Sequence, residues 1–282
     1  MAPYYDGLVA FLFRQLFYTI PAVAPVDLHG KAVLLTGANS GIGLSLAMIL
    51  ASQGAEVVTA VRSLARGEAA RQEILRGVPT ARIEVRECDL ASFNSVKSFV
   101  GQLKDDSKSF DLVILNAGVW CSQWMASGDG FDLSLQVNVL SNALLALSLL
   151  PRLRYQSGPP RIVFVTSEGH AMVPTPFARQ GSMLDSFNQK AQPFNHYKHY
   201  YTSKLFELLW AQAMSRRVDA GKLSICSVSP GLCKSELFRN PRVSSFASSR
   251  EGVLCQERLW KEIVGILDSV DPGLESHLNL VN

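Results

Sequence analysis

The chain has 282 residues, 48% of them apolar, enough to fill one large α/β domain or two small ones. Its net charge of +3 is too mild to point to a nucleic-acid partner, and no basic run with interleaved aromatics occurs. The five cysteines are scattered without a C-x-x-C pair and the five histidines lack ligand spacing, which speaks for reduced thiols and against a disulfide framework or a metal site.

Leu8 to Ile20 is rich in Leu, Phe and Tyr but is broken by Arg14 and Gln15. It is shorter than the roughly twenty apolar residues a span needs, and it lacks the basic start and cleavage site of a signal peptide. The expectation is a helix packed on the domain or on a second subunit, with a helix lying in a membrane interface as the sharper alternative. The expected location is therefore the cytoplasm, with peripheral membrane contact under that alternative and no transmembrane span. Residues 1–30 form an N-terminal segment and linker.

Lys31 to Gly43, KAVLLTGANSGIG, is the stretch around which the chain is organised. Ala32 to Leu35 is an apolar run of the kind a strand buried on both faces shows. The chain breaks at Gly37 and resumes as a helix from about Gly41. Gly37 permits the tight turn, and Gly41 and Gly43 let a pyrophosphate approach the backbone and the helix lie close on the sheet. Ser40, Gly41, Ile42 and Gly43 then present N–H groups to phosphate.

Strands and helices alternate from there. Gly54 ends the first helix, and Ala55 to Val61 is a second strand followed directly by Arg62. A basic residue at that strand end favours the 2′-phosphate of NADP, where an acidic one would favour NAD. Ser63 caps a helix to about Leu75. Arg82 to Glu87 alternates like a third strand and leads into Cys88-Asp89-Leu90, and Ser92 to Leu103 is a third helix. Leu112 to Leu115 is a fourth strand ending in Asn116-Ala117-Gly118, where small residues leave room for a flat ring. Asp132 to Leu150 reads as one long apolar helix carrying Asn138. Arg161 to Thr166 is a fifth strand ending at Ser167, Tyr197 to about Val218 is a helix, and Leu223 to Val228 is a sixth strand ending at Pro230-Gly231. Repeated β-α units predict a doubly wound parallel sheet with ligands across the carboxyl ends of its strands.

These residues together resemble the short-chain dehydrogenase/reductase family. Thr36 to Gly43 matches its T-G-x-x-x-G-x-G, Asp89-Leu90 its adenine-side acidic position, and Asn116-Ala117-Gly118 its N-A-G. Asn138, Ser167 and Tyr200-x-x-Ser203-Lys204 match its catalytic set, and Pro230-Gly231 the turn beside the nicotinamide. Ser235 stands where the family often has a Thr that bonds the carboxamide. The phrases ARQEI, SEGHAM and PGLCKSEL resemble a fungal branch whose members often act on secondary-metabolite intermediates. The resemblance implies a single Rossmann domain over 31–237 that binds NADP(H) and carries the catalytic set. After Leu237 the family's substrate-covering segment, next helix and seventh strand have no counterpart. Residues 238–282 thus read as a shortened helical tail, with a helix over Glu251 to Leu267. A bare sixth-strand edge would favour a homodimer.

The chemistry fits the residue types. Tyr200 and Lys204 are four apart and share a helix face. The ammonium favours the phenoxide and is expected to lower the tyrosine pKa, so that Tyr200 exchanges a proton with a carbonyl or alcohol oxygen. Ser167 would hydrogen-bond the same oxygen, Lys204 would also reach the nicotinamide ribose, and Asn138 would hold a water linking Lys204 to solvent. Tyr201 is three from Lys204 and is set aside. His170 is expected in a loop lining the entrance, Trp120, Trp124 and Met125 in the wall, and Tyr197 and His199 at an exposed helix start or against substrate. Two readings stay open: an oxidoreductase acting on a mostly apolar carbonyl or alcohol, and a cofactor-binding protein of the same family without turnover.

Overall fold

A computed structural model describes residues 24–154, 158–173, 181–190, 193–231 and 250–281. The N-terminal run Leu8–Ile20 and residues 232–249, with Ser235, lie outside the described residues. The strands are β1 (Ala32–Thr36), β2 (Glu56–Val61), β3 (Arg82–Glu87), β4 (Leu112–Leu115), β5 (Arg161–Val165) and β6 (Ser224–Val228). They form one sheet in the order β3-β2-β1-β4-β5-β6 with every pairing parallel. The order reverses between β1 and β4, which opens a crevice above their carboxyl ends.

β1 is buried at all five positions, as a central strand covered on both faces must be. β6, at the edge, is only half-buried and leaves Val228 exposed. Helices α1 (Gly41–Ser52), α2 (Leu64–Gly77) and α3 (Phe93–Asp105) follow the first three strands. Ser63 and Ser92 cap α2 and α3, their hydroxyls accepting from the N–H groups of Arg66 and Ser95. Gly54 closes α1 at φ +91°, a conformation that strains any residue with a Cβ.

The long apolar helix is interrupted. It runs as Leu133–Leu135, then one π turn, Gln136–Leu140, then Ser141–Leu149; we call the whole α4. Gln136, Asn138, Ser141 and Asn142 are as buried as their apolar neighbours, so no exposed face marks the extra residue of a π turn. Every residue of Ser141–Leu149 is buried, Ser141, Asn142 and Ser148 among them. The run Leu133–Arg152 is long and apolar enough to cross a membrane, with mean hydropathy 1.6, but it is 94% buried and forms the core.

A 3₁₀ turn (Glu168–Met172) and a short helix α5 (Met183–Asn188) lead to α6 (His196–Ser215), which is capped by Asn195. The C-terminal helix α7 (Arg250–Val270) is longer than its sequence pattern suggests. It docks on α6 through parallel rings of Trp210 and Trp260, 4.3 Å between centroids, with Arg217 lying over Trp260.

Candidate active site

The break after β1 sets the first wall. Gly37 adopts φ +71°, and a Cβ there would lie 2.9 Å from the Ala117 Cα. At Gly43 a Cβ would lie 2.2 Å from the Gly37 carbonyl oxygen. Both glycines are therefore required by close backbone approach. Thr36 ties this loop to the end of β4: its Oγ1 accepts from the N–H groups of Asn116 and Ala117, both at 2.9 Å. The Asn116 amide donates back to the Thr36 carbonyl at 2.9 Å. Ser40 precedes α1 in an extended conformation and its side chain takes none of the first N–H groups. Those groups, with the positive end of the helix, suit an anion.

Above this loop lies a cavity of about 330 Å³, within the usual size of ligand sites. Gly37, Ser40, Gly41, Ile42, Gly43, Arg62, Asp89, Leu90, Asn116, Ala117, Gly118, Ser167, Tyr200, Lys204, Pro230 and Gly231 all line it. Arg66 also lines it and has no distinguishing sequence signal beyond its place in the first turn of α2, where its main-chain N–H is capped by Ser63. A phosphate-bearing dinucleotide fits these residues: a glycine cradle that a Cβ would fill, a helix start, and two arginines at the far end.

Asn138 is fully buried beneath the cavity, on the π turn. Its Oδ1 accepts from Val119 N at 2.8 Å, and its Nδ2 donates to the Val119 carbonyl at 3.0 Å and to Ser203 Oγ at 2.9 Å. The Asn138 main-chain carbonyl accepts from Asn142 Nδ2 at 3.3 Å. Asn138 thus joins the end of β4 to α6.

On α6, Tyr200 and Lys204 face the cavity beside Ser167, which hydrogen-bonds the Tyr200 hydroxyl. Lys204 Nζ donates to the Val165 carbonyl at 2.9 Å and to Glu207 Oε2 at 2.8 Å. Lys204 pulls the Tyr200 phenol down, as expected, but burial outweighs it. Burial raises the Tyr200 phenol above its ordinary value; Lys204 and Ser167 pull it down, while Glu207 pushes it up again. Burial also works against the Lys204 ammonium, but the charges of Glu207 and Tyr200 and the Glu207 hydrogen bond leave it raised. Neither Glu207 nor Asn142 stands out in the sequence as a site residue. Glu207 looks like a charge on an amphipathic helix, yet it is buried and accepts from Asn142 Nδ2 at 3.1 Å.

The flanking residues divide. Trp120 stacks on Tyr200 and touches Tyr197 and His196, forming an aromatic wall on α6. Tyr197 is exposed, whereas His199 turns inward between Phe187 and Phe194, its Nε2 2.9 Å from the buried Asp132 carboxylate. His170 sits in the 3₁₀ turn, its Nδ1 donating to the Ser167 carbonyl at 2.5 Å. Burial lowers its pKa, so it is held neutral near pH 7. Tyr201 packs on Gly169, where a Cβ would lie 2.1 Å from its ring. Burial, then Tyr197 and Tyr200, push its phenol up to about 12.

Comparison with known proteins points the same way. The family model described as short chain dehydrogenase matches residues 31–178. The chain is 38% identical to "Short chain dehydrogenase sol3" of Alternaria solani, over 83% of this chain and 83% of that one. It is 37% identical to "Short-chain dehydrogenase fogG" of Aspergillus ruber, over 83% of this chain and 70% of that one. Its fold is similar to the crystal structure of L-sorbose reductase from Gluconobacter frateurii complexed with NADPH and L-sorbose. That match has TM-score 0.58 and 21% identity, and covers 74% of this chain and 72% of the other.

Proposed function

The chain belongs to the short-chain dehydrogenase/reductase family, and on that premise we propose that it is an NADP(H)-dependent oxidoreductase. It interconverts a carbonyl and a secondary or primary alcohol on a mostly apolar metabolite, in secondary-metabolite biosynthesis. The observation that carries this reading is the meeting of Ser167, Tyr200 and Lys204 on one wall of a cavity that also holds the glycine loop, Arg62 and Arg66.

When bound, the nicotinamide cofactor supplies or accepts the hydride. The chain's own residues do the rest. The Gly37–Gly43 loop and the start of α1 would hold the pyrophosphate, and Arg62 with Arg66 would hold a 2′-phosphate by charge-assisted hydrogen bonds. Asp89 and Leu90 would take the adenine side, and Asn116, Ala117, Gly118, Pro230 and Gly231 the flat ring. Ser167 orients the substrate oxygen, and Tyr200 gives it a proton in reduction or takes one in oxidation. Lys204 has three N–H groups and the protein uses two; the third serves the ribose. The apolar aromatic wall of Trp120 and Tyr197 supports a mostly apolar substrate. The deciding experiment incubates the purified protein with NADPH and a panel of ketones and aldehydes and reads the products by mass. Tight NADPH binding with no conversion of any carbonyl or alcohol would replace this reading with that of a cofactor-binding protein without turnover.

A further inference from the structure

Glu207 touches neither the substrate oxygen nor the cofactor cavity, yet it sits one helical turn beyond Lys204 with its carboxylate buried. The ion pair is 2.8 Å long, and the two side chains are 4% and 1% exposed. Buried ion pairs often cost stability relative to apolar residues of similar volume, and the neighbours Phe206, Leu209 and Trp210 are all buried and apolar. Both Glu207 oxygens are engaged, Oε2 by Lys204 and Oε1 by Asn142 Nδ2. The same Asn142 amide reaches the main-chain carbonyl of Asn138, on the π turn. A continuous set of hydrogen bonds therefore runs from Asn138 through Asn142 and Glu207 to Lys204 at the cavity wall.

We propose that Glu207 is a positioning residue for Lys204: it holds Nζ beside the Val165 carbonyl and offsets the ammonium charge, so that its own protonation decides how strongly Lys204 acidifies Tyr200. The proposal rests on the reading of Tyr200 as the proton-transfer group. With Glu207 ionised, the pair presents little net charge to the phenol. With Glu207 protonated, the full charge of Lys204 acts on it. Burial pushes the Glu207 carboxyl up to about 7, against the pull of the Lys204 charge and of its hydrogen bonds to Lys204 and Asn142. The change therefore falls near neutral pH, and the phenol becomes more acidic as the pH drops through it.

The surroundings leave this pair isolated among the described residues. Residues 162–165 of β5 and the Ser141–Leu149 part of α4 carry no ionisable side chain. α7 meets α6 at Trp210 and at Gln212, and its carboxylates Glu257 and Glu262 bind Arg217 and the start of α5. Glu168 and His170, on the 3₁₀ turn, lie beside Ser167, Ser229 and the Tyr201 side. On α6 itself the ionisable groups in play are Lys204 and Tyr200.

The test reads the phenol directly. Phenolate absorbance against pH, taken as the difference between the protein and its Tyr200→Phe counterpart, subtracts the other six tyrosines and isolates Tyr200. In Glu207→Gln the Tyr200 midpoint should fall by about one pH unit, a tenfold change in proton affinity. The near-neutral limb of the pH profile of kcat/KM should vanish, and Glu207→Asp should restore it. An unchanged phenol midpoint in folded Glu207→Gln, or a profile that keeps its near-neutral limb, overturns the proposal. Should Glu207→Gln not fold, Asn142→Leu removes a hydrogen bond from the carboxylate and should move that limb to higher pH; an unmoved limb overturns the proposal. If the protein turns over no substrate, the assigned reaction fails while the absorbance titration still decides the role of Glu207.

Discussion

The indole of Trp120 lies over the ring of Tyr200, with 5.4 Å between centroids and 17° between planes. The stack closes one face of the phenol against solvent and leaves its hydroxyl at the cavity with Ser167. Trp120 does not line the cavity assigned to the cofactor in the proposed reading, so its effect is expected on substrate binding. Aromatic pairs contribute about 0.5–1.5 kcal/mol beyond area burial. Trp120→Ala should raise KM for the carbonyl about two- to tenfold, leave the NADPH dissociation constant unchanged, and let the Tyr200 pKa fall as water reaches the ring. Steady-state kinetics beside a fluorescence titration with NADPH checks the split.

Tyr200→Phe removes the hydroxyl and keeps the ring that Trp120 covers. Proton transfer by a positioned group contributes about 10²–10⁴-fold in rate, so kcat should drop by that order with NADPH affinity nearly unchanged. Tyr201→Phe should change kcat by less than about tenfold by the same measure, because Tyr201 packs on Gly169 away from Lys204. Loss of activity in Tyr201→Phe with retention in Tyr200→Phe would reverse the assignment.

Arg62 and Arg66 both line the cavity, where the proposed reading puts the 2′-phosphate. A hydrogen bond to a charged group contributes about 1.5–3 kcal/mol. Arg62→Asp should therefore weaken NADPH by about ten- to a hundredfold and narrow its advantage over NADH, and Arg66→Ala should have a smaller effect of the same sign. Equal affinities of the unaltered protein for the two cofactors would remove the basis for both expectations.

Gly43→Ala places a methyl group 2.2 Å from the Gly37 oxygen. The loop must move, and overpacking of this kind costs about 1–3 kcal/mol. Thermal denaturation should show the loss, and NADPH binding should fall further than the loss of stability explains. Gly41→Ala is the control for space: nothing lies within 4 Å of its Cβ, and only its φ of +55° opposes the change.

The alternation of strands and helices was legible because each central strand is an unbroken apolar run bounded by Gly, Ser or Asn. The cavity lining was legible because short motifs sit at the strand ends, where a parallel sheet gathers them. Other features depend on partners distant in the chain. His199 reads as part of an exposed helix start, but the fold turns it onto Asp132. Glu207 acquires its meaning only when α4 brings Asn142 against it. Spacing reveals the ammonium that pulls the Tyr200 phenol down but hides both the burial that outweighs it and the second charge. The π turn left no trace because every side chain around it is buried.

That turn also makes the chain intolerant of small length changes at one place. Deleting a single residue within Gln136–Leu140 would let the turn close as a regular α-helix, with the two halves kept in phase but the bulged residues, Asn138 among them, drawn back into the helix. Asn138 would then lose its reach to Val119 and Ser203. Variation in length among relatives is therefore expected in the loops that join the elements, while the count of residues from Asn138 to Asn142 stays constant.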